Sequence, residues 1–376
     1  MTEPPEQNFE QIRARNDASL MPEIGSVRAG TAVHALEQFA RAYLGLFMNI
    51  DVDLTPVERV AMLANPELVD AVLDGFHAVA IRVPLPDAAE IAAARARGNE
   101  HPLNFIALAG MDLLAERAMD EALALPEERL QSLLSFYFAS TAELHNRWYP
   151  QLVEKRPETV AAALAIYWGI LIDRGAAYLP GLLALLHEQR AAPIMATLSL
   201  TLLQRWKQCR LKLLVELLGV AFRYANKEDL RQLIETMLAD QDGVNVKKTL
   251  LWMAAAFFVS PAEHEQQLIN YCQASKEKIL PLLDFSYRLL QPGPGKPVTI
   301  STHALAVLLR IVGPKFPPKV VNGEADDSIS LKVLWLFRRL GQQPADEARR
   351  EIKWLRSARV MRRCETVMEE IEASLN

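Results

Sequence analysis

Cysteine, aromatic residues, long apolar runs and excess positive charge are all scarce in this chain of 376 residues, and each scarcity removes a class of protein. The three cysteines, Cys209, Cys272 and Cys364, stand far apart. They form neither a metal-type spacing nor a disulfide framework, which points to a reducing cytoplasm. Aromatics make up 7% of the residues, while alanine and leucine are plentiful. That balance favours helix, because Ala and Leu lose little on entering one. The net charge of −5 argues against a chain that coats nucleic acid with its whole surface. The longest apolar run, VAAALAIYWGILI from Val160 to Ile172, is about a dozen residues where a membrane span needs about 20. The first residues, MTEPPEQNFEQIRARND, lack the basic start and apolar core of a signal peptide. No segment alternates apolar and polar residues for long, so essentially no sheet is expected.

What is present is a succession of amphipathic helices separated by Pro, Gly and capping residues. Residues 1–29, with Pro4, Pro5, Pro22, Gly25 and Gly30 among polar residues, read as a flexible tail. Thr31 is placed to cap the first helix, with Leu36, Phe39, Ala40 and Tyr43 inward. Thr55-Pro56 with Glu58 three residues on is a capping box, and Asn65-Pro66 and Asp87 open further helices. Ser301 or Thr302 caps a helix with Leu305, Leu308, Leu309 and Val312 on one face. Gly313-Pro314 is expected to end it, the glycine turning left-handed. Asp326, Asp327 or Ser328 opens the next, with Ile329, Val333, Leu336, Phe337 and Leu340 inward and Gly341 closing it. Two more helices, Pro344–Ser357 and Ala358–Leu375, are expected to finish the chain.

About eighteen helices in pairs of about forty residues match the rhythm of helical-repeat proteins. The expected fold is therefore all-α: a HEAT-like α-solenoid over residues 30–290, a Pro/Gly linker over 291–298 (within it QPGPGKP), and a C-terminal helical subdomain over 299–376. A globular helical bundle is the alternative.

Chemistry is harder to find. QPGPGKPV has a Gly-Lys pair but not the spacing of a phosphate loop, and Pro297 stands where Ser or Thr is needed. His187-Glu188 and His264-Glu265 begin like a helical zinc motif, but Ala191 and Leu268 occupy the place of the second histidine. His34, His77, His101, His145 and His303 stand alone. Cys209 beside Lys207 and Arg210 has neighbours that could lower its pKa, and an enzyme assembled around His145 or Cys209 is the least favoured reading. No catalytic residue, metal or cofactor is expected. The one marked charge feature is C-terminal: Arg349, Lys353, Arg356, Arg359 and Arg363 recur at three and four, with Trp354 interleaved, and share one face if the helix is continuous. Such a face suits phosphate or an acidic partner surface.

Three stretches together, HPLNFIALAGMDLL followed by LPEERLQSLLSFYFA, then ISTHALAVLLRIVGPKFPP, then ADDSISLKVLWLFRRLGQQPADEARREIKWL, resemble the helical-repeat region of bacterial NACHT-type STAND NTPases. The resemblance spans about residues 60–360 and rests on patterned Leu, Pro and Gly, so it transfers no active-site position. It implies a sensor or autoinhibitory array of an antiphage defence system, here without the NTPase module. The expected function is a non-enzymatic protein-binding scaffold in the cytoplasm, off the membrane, with a separate ATPase or effector as partner. The alternative is a nucleic-acid-contacting module that uses Arg349, Lys353, Trp354, Arg356, Arg359 and Arg363.

Overall fold

Side-chain caps at Thr55, Asn65, Asp87, Asn226, Asn245, Ser301 and Asp327 set the starts of several helices, and the computed structural model describes residues 9–47, 50–51, 53–140, 147–240, 245–273, 276–321 and 324–375. Among the described residues the chain is all-α apart from one two-residue antiparallel pairing of 320–321 with 324–325. Contacts divide it between Ile194 and Met195 into two units. Among the described residues no helix is long and apolar enough to cross a membrane.

The first unit holds α1 (Phe9–Leu20), α2 (Ile24–Arg28), α3 (Val33–Tyr43), α4 (Pro56–Ala61), α5 (Pro66–Ile81), α6 (Ala88–Ala96), α7 (Asn104–Leu123), α8 (Glu127–Ala139), α9 (Trp148–Lys155), α10 (Pro157–Asp173) and α11 (Leu182–His187). Three expected caps form: Thr55 and Asp87 each make a reciprocal box with the glutamate three residues on, and the Asn65 side chain accepts from the Leu68 N–H. Thr31 does not cap α3; its hydroxyl donates to the Ser26 carbonyl. Helix α5 packs most extensively on α7 and also supports α2. Glycines allow both approaches: a Cβ on Gly75 would overlap the Val27 carbonyl, and one on Gly110 would overlap the Phe76 carbonyl.

Within residues 1–29, expected as a flexible tail, α1 and α2 are folded. Helix α1 buries no side chain, so its sequence carries no apolar period to read. It is held by polar bonds instead: Arg13 Nη2 donates to the Ala61 carbonyl at 2.7 Å, Asn16 Nδ2 to the Leu63 carbonyl at 2.9 Å, and Asp17 accepts from the Asn65 N–H at 3.0 Å. Val27 of α2 is wholly buried.

Helix α12 (Ala192–Leu203) contains the division. The second unit continues with α13 (Leu211–Tyr224), α14 (Lys227–Ala239), α15 (Val246–Val259), α16 (Pro261–Cys272), α17 (Lys276–Leu290), α18 (Thr302–Val312), α19 (Ser328–Gly341), α20 (Ala345–Ser357) and α21 (Glu365–Ser374). Its neighbour order is regular. Each odd-numbered helix from α13 to α21 packs on the next odd one, α16, α18 and α20 pack in series beside them, and consecutive helices touch. Ser301 and Asp327 cap α18 and α19 as their types predict.

The Gln291–Pro297 segment lies inside this unit. Arg223 on α13 holds it: Nη2 donates to the carbonyls of Arg288, Leu289 and Gln291, and the Arg223 carbonyl accepts from the Lys296 N–H at 3.2 Å. A cation bonded to the open carbonyls at a helix end is a recurring device in both units. Arg59 serves the end of α3 through the Tyr43 carbonyl, Arg129 serves α5, and Arg156 serves α7 through the Leu123 carbonyl. In the second unit Lys248 bonds the carbonyls of Trp206 and Lys207, and Arg349 bonds that of Leu375.

Candidate partner-binding groove

The C-terminal cations expected on one face are distributed over two elements. Helix α20 ends at Ser357, Ala358 turns the backbone to ψ 112°, and Arg359–Cys364 forms a 3-10 segment before α21. The helix expected over Ala358–Leu375 is therefore interrupted, and no single face carries the stripe. Arg349 and Arg356 are engaged within the fold: Arg349 bonds the Leu375 carbonyl and lies 3.7 Å from Asp346, and Arg356 pairs with Glu365 at 2.7 Å and with Glu372. Trp354 sits between the Arg310 guanidinium, 4.6 Å from its ring centre, and the His303 ring at 5.3 Å. Lys353, Arg359 and Arg363 are exposed and make no ion pair among the described residues.

Beside Trp354, His303 bridges two carboxylates. Its Nδ1 is 3.0 Å from Glu351 and its Nε2 is 3.2 Å from Glu265. Burial pulls the imidazole pKa down, but the hydrogen bonds and charges of Glu351 and Glu265 outweigh it and leave it above the ordinary value. Glu351 itself is buried, so the bridge supplies a partner to a carboxylate that would otherwise be costly to bury.

His145 lies outside the described residues. Cys209, Cys272 and Cys364 are all buried. Burial pushes the Cys272 thiol up to about 12 and the Cys364 thiol up to about 11, away from the thiolate that a nucleophile needs. Among the described residues no cluster of three or more His, Cys, Asp or Glu is arranged to hold a metal.

One carboxylate in the first unit is strongly perturbed. Burial, and then the charge of Glu116, push the Asp112 carboxyl on α7 up to about 6 against the opposing pull of Arg147 and Arg59. Ionising Asp112 therefore destabilises the fold. Below its unfolded pKa of about 3.8 both states hold the proton and there is no effect; the destabilisation grows as pH rises to about 6 and is complete above that. A rise of that size corresponds to at most about 3 kcal/mol, which partial exposure reduces to about 1–2 kcal/mol. Asp112→Asn is expected to stabilise the protein by that amount at pH 7.5 and to change little near pH 4, as read from denaturant midpoints. Equal stabilisation at both pH values would sink the assignment.

The strongest site is a groove on the odd-numbered helices of the second unit, with a volume of about 570 Å³. Its apolar lining is Leu211 and Val215 from α13, Leu251 from α15, and Leu280 and Pro281 from α17. Each of the three helices adds a cation to the lining: Lys212, Lys247 and Arg288. All three are exposed, and none forms an ion pair among the described residues. The one acid in the lining, Asp284, is taken by Lys332 of α19 at 2.5 Å. Pro281 also removes one backbone N–H from α17 without ending it.

Contiguous sequence reading misses this site because its residues come from three helices. The signal is nevertheless in the spacing. Lys212 to Lys247 is 35 residues, Lys247 to Arg288 is 41, and Arg288 to Lys332, the partner of Asp284, is 44. The period of about forty residues that suggests repeats also places the charges.

No protein-family model matches the chain, and neither a curated protein nor a solved structure matches it.

Proposed function

We propose that the chain is a non-enzymatic protein-binding scaffold, a HEAT-like helical-repeat array whose second unit holds a cytoplasmic partner on its odd-numbered helices. The observation that carries this reading is the groove itself: an apolar floor under three exposed cations that form no ion pair among the described residues. The neighbour order from α13 to α21, each odd helix on the next, supports the repeat reading. The resemblance to the helical region of NACHT-type STAND NTPases makes a separate ATPase or effector the natural partner and antiphage defence the natural setting.

The test is affinity capture of the tagged full chain from its host, before and after phage infection, with mass spectrometry and nucleic-acid analysis of the eluate. A stoichiometric protein, above all an ATPase or effector, is the expected result. Nucleic acid released by salt, with no protein, would replace this reading with the nucleic-acid one and would direct attention to Lys353, Arg359 and Arg363. An eluate empty under both conditions would count against the scaffold.

A further inference from the structure

We infer that the groove over α13, α15 and α17 receives an acidic amphipathic helix of the partner; this rests on the scaffold reading above. The floor of Leu211, Val215, Leu251 and Leu280 calls for an apolar stripe on whatever lies there. Lys212, Lys247 and Arg288 call for negative charge beside that stripe, since Asp284 is already committed to Lys332. Both demands fall on the same few side chains, so one element must meet them together.

Backbone chemistry selects a helix over an extended peptide. The lining contains no sheet edge, and backbone groups are open there only locally, at the first turn of α13 and at Pro281. An extended segment would find no ladder of partners along its backbone, whereas a helix satisfies its own groups.

Packing limits the length. Helices α13, α15 and α17 each pack on the other two, and Phe222, Phe258 and Phe285 meet between them. Axes of packed neighbours lie about 8–10 Å apart, and a helix of about ten residues, about 15 Å long, covers a floor of that width. The segment expected is an apolar stripe at i, i+4 and i+7 with Asp or Glu beside it.

The experiment is selection of a displayed library of 14-residue helical peptides on the full chain, followed by fluorescence polarisation of the enriched peptides. Enriched sequences are expected to carry at least two acidic residues along one edge of an apolar stripe. They are expected to bind the double variant Lys247→Glu, Arg288→Glu at least tenfold more weakly, with circular dichroism showing that the variant remains folded. Exchanging the peptide's acids for lysine should restore binding to that variant. Enrichment of neutral or basic helices, equal binding to the variant, or no enriched helix would each overturn the inference. Binding of a 20-nucleotide single strand that the same substitutions abolish would also overturn it and would make the groove a nucleic-acid surface. If the host partner is captured equally well by the double variant, the scaffold stands and the groove assignment alone fails.

Discussion

Replacing Gly110 with alanine is expected to unfold the core of the first unit, at a cost of about 3 kcal/mol or more. A Cβ at Gly110 would fall on the Phe76 carbonyl of α5, with the Ala80 Cβ one turn along the same helix at 3.0 Å. A flexible side chain could move aside, but a backbone carbonyl held in a helix cannot, so α7 would have to leave α5. That is the most extensive helix pairing in the unit, with Phe76 and Val79 of α5 and Ile106 of α7 wholly buried. Helix propensity favours alanine over glycine by about 1 kcal/mol, and overpacking of this kind costs about 1–3 kcal/mol or more; here the obstacle is backbone, so overpacking prevails. Gly75 has the same constraint against the Val27 carbonyl, and Gly75→Ala should behave likewise. A Cβ added to Gly25 in α2 would have nothing within 4 Å, and the backbone there is ordinary, so Gly25→Ala should be neutral or slightly stabilising. Hydrogen exchange read peptide by peptide separates the cases: segments within residues 66–123 should lose protection in Gly110→Ala while segments within 211–290 keep it. Full protection at 66–123 would show that α5 and α7 do not approach this closely.

These glycines show where sequence reading ends. Local chemistry is legible: Thr55 with Glu58, Asp87 with Glu90, Asn65, Ser301 and Asp327 cap the helices that their types announce, because a cap is a bond to an N–H two or three residues away. Gly313 and Gly341 stand at the helix ends that the sequence assigns them, just after α18 and at the last residue of α19, and both are also sites of close packing. Gly313 stays right-handed at φ −55°, and a Cβ there would meet the Leu309 carbonyl at 2.9 Å and Cys364 Sγ at 3.2 Å. Gly341 is the last residue of α19, and a Cβ on it would meet Ile371 of α21 at 2.8 Å. Neither Cys364 nor Ile371 is near its glycine in sequence, so composition alone does not separate a stop from a close approach. The end of α20 at Ser357 falls where the sequence puts it, but the 3-10 segment Arg359–Cys364 beyond it carries no Gly or Pro, and the fold of α1 depends on long-range polar bonds. That segment and those bonds are invisible to local pattern.

Arg129 makes the same argument in the other direction: a single charged residue, of a type that usually means solvated helix surface, holds a helix end in place. From α8 its Nη1 donates to the carbonyls of Val79 and Ala80, both at 2.9 Å, and its Nη2 to the carbonyl of Val83 at 2.8 Å. The first two are carbonyls that α5 leaves open at its C-terminus, and Val83 lies two residues beyond its end. No glycine cap follows α5; Arg82 remains right-handed there. Bonds from a charged donor contribute about 1.5–3 kcal/mol each when isolated, but water reaches a half-buried site and three bonds to one guanidinium are not additive. Arg129→Met keeps the aliphatic stem and removes the donors, and is expected to cost about 3 kcal/mol in denaturant unfolding. Arg129→Lys should recover only about a third of that, because an ammonium cannot span three carbonyls as a planar guanidinium does. If Lys restored full stability, charge near the helix end would be sufficient and the fork geometry irrelevant. If Met cost nothing, water would serve those carbonyls as well as Arg129 does. The expected ordering, Arg above Lys above Met, makes the side chain on α8 part of the end of α5.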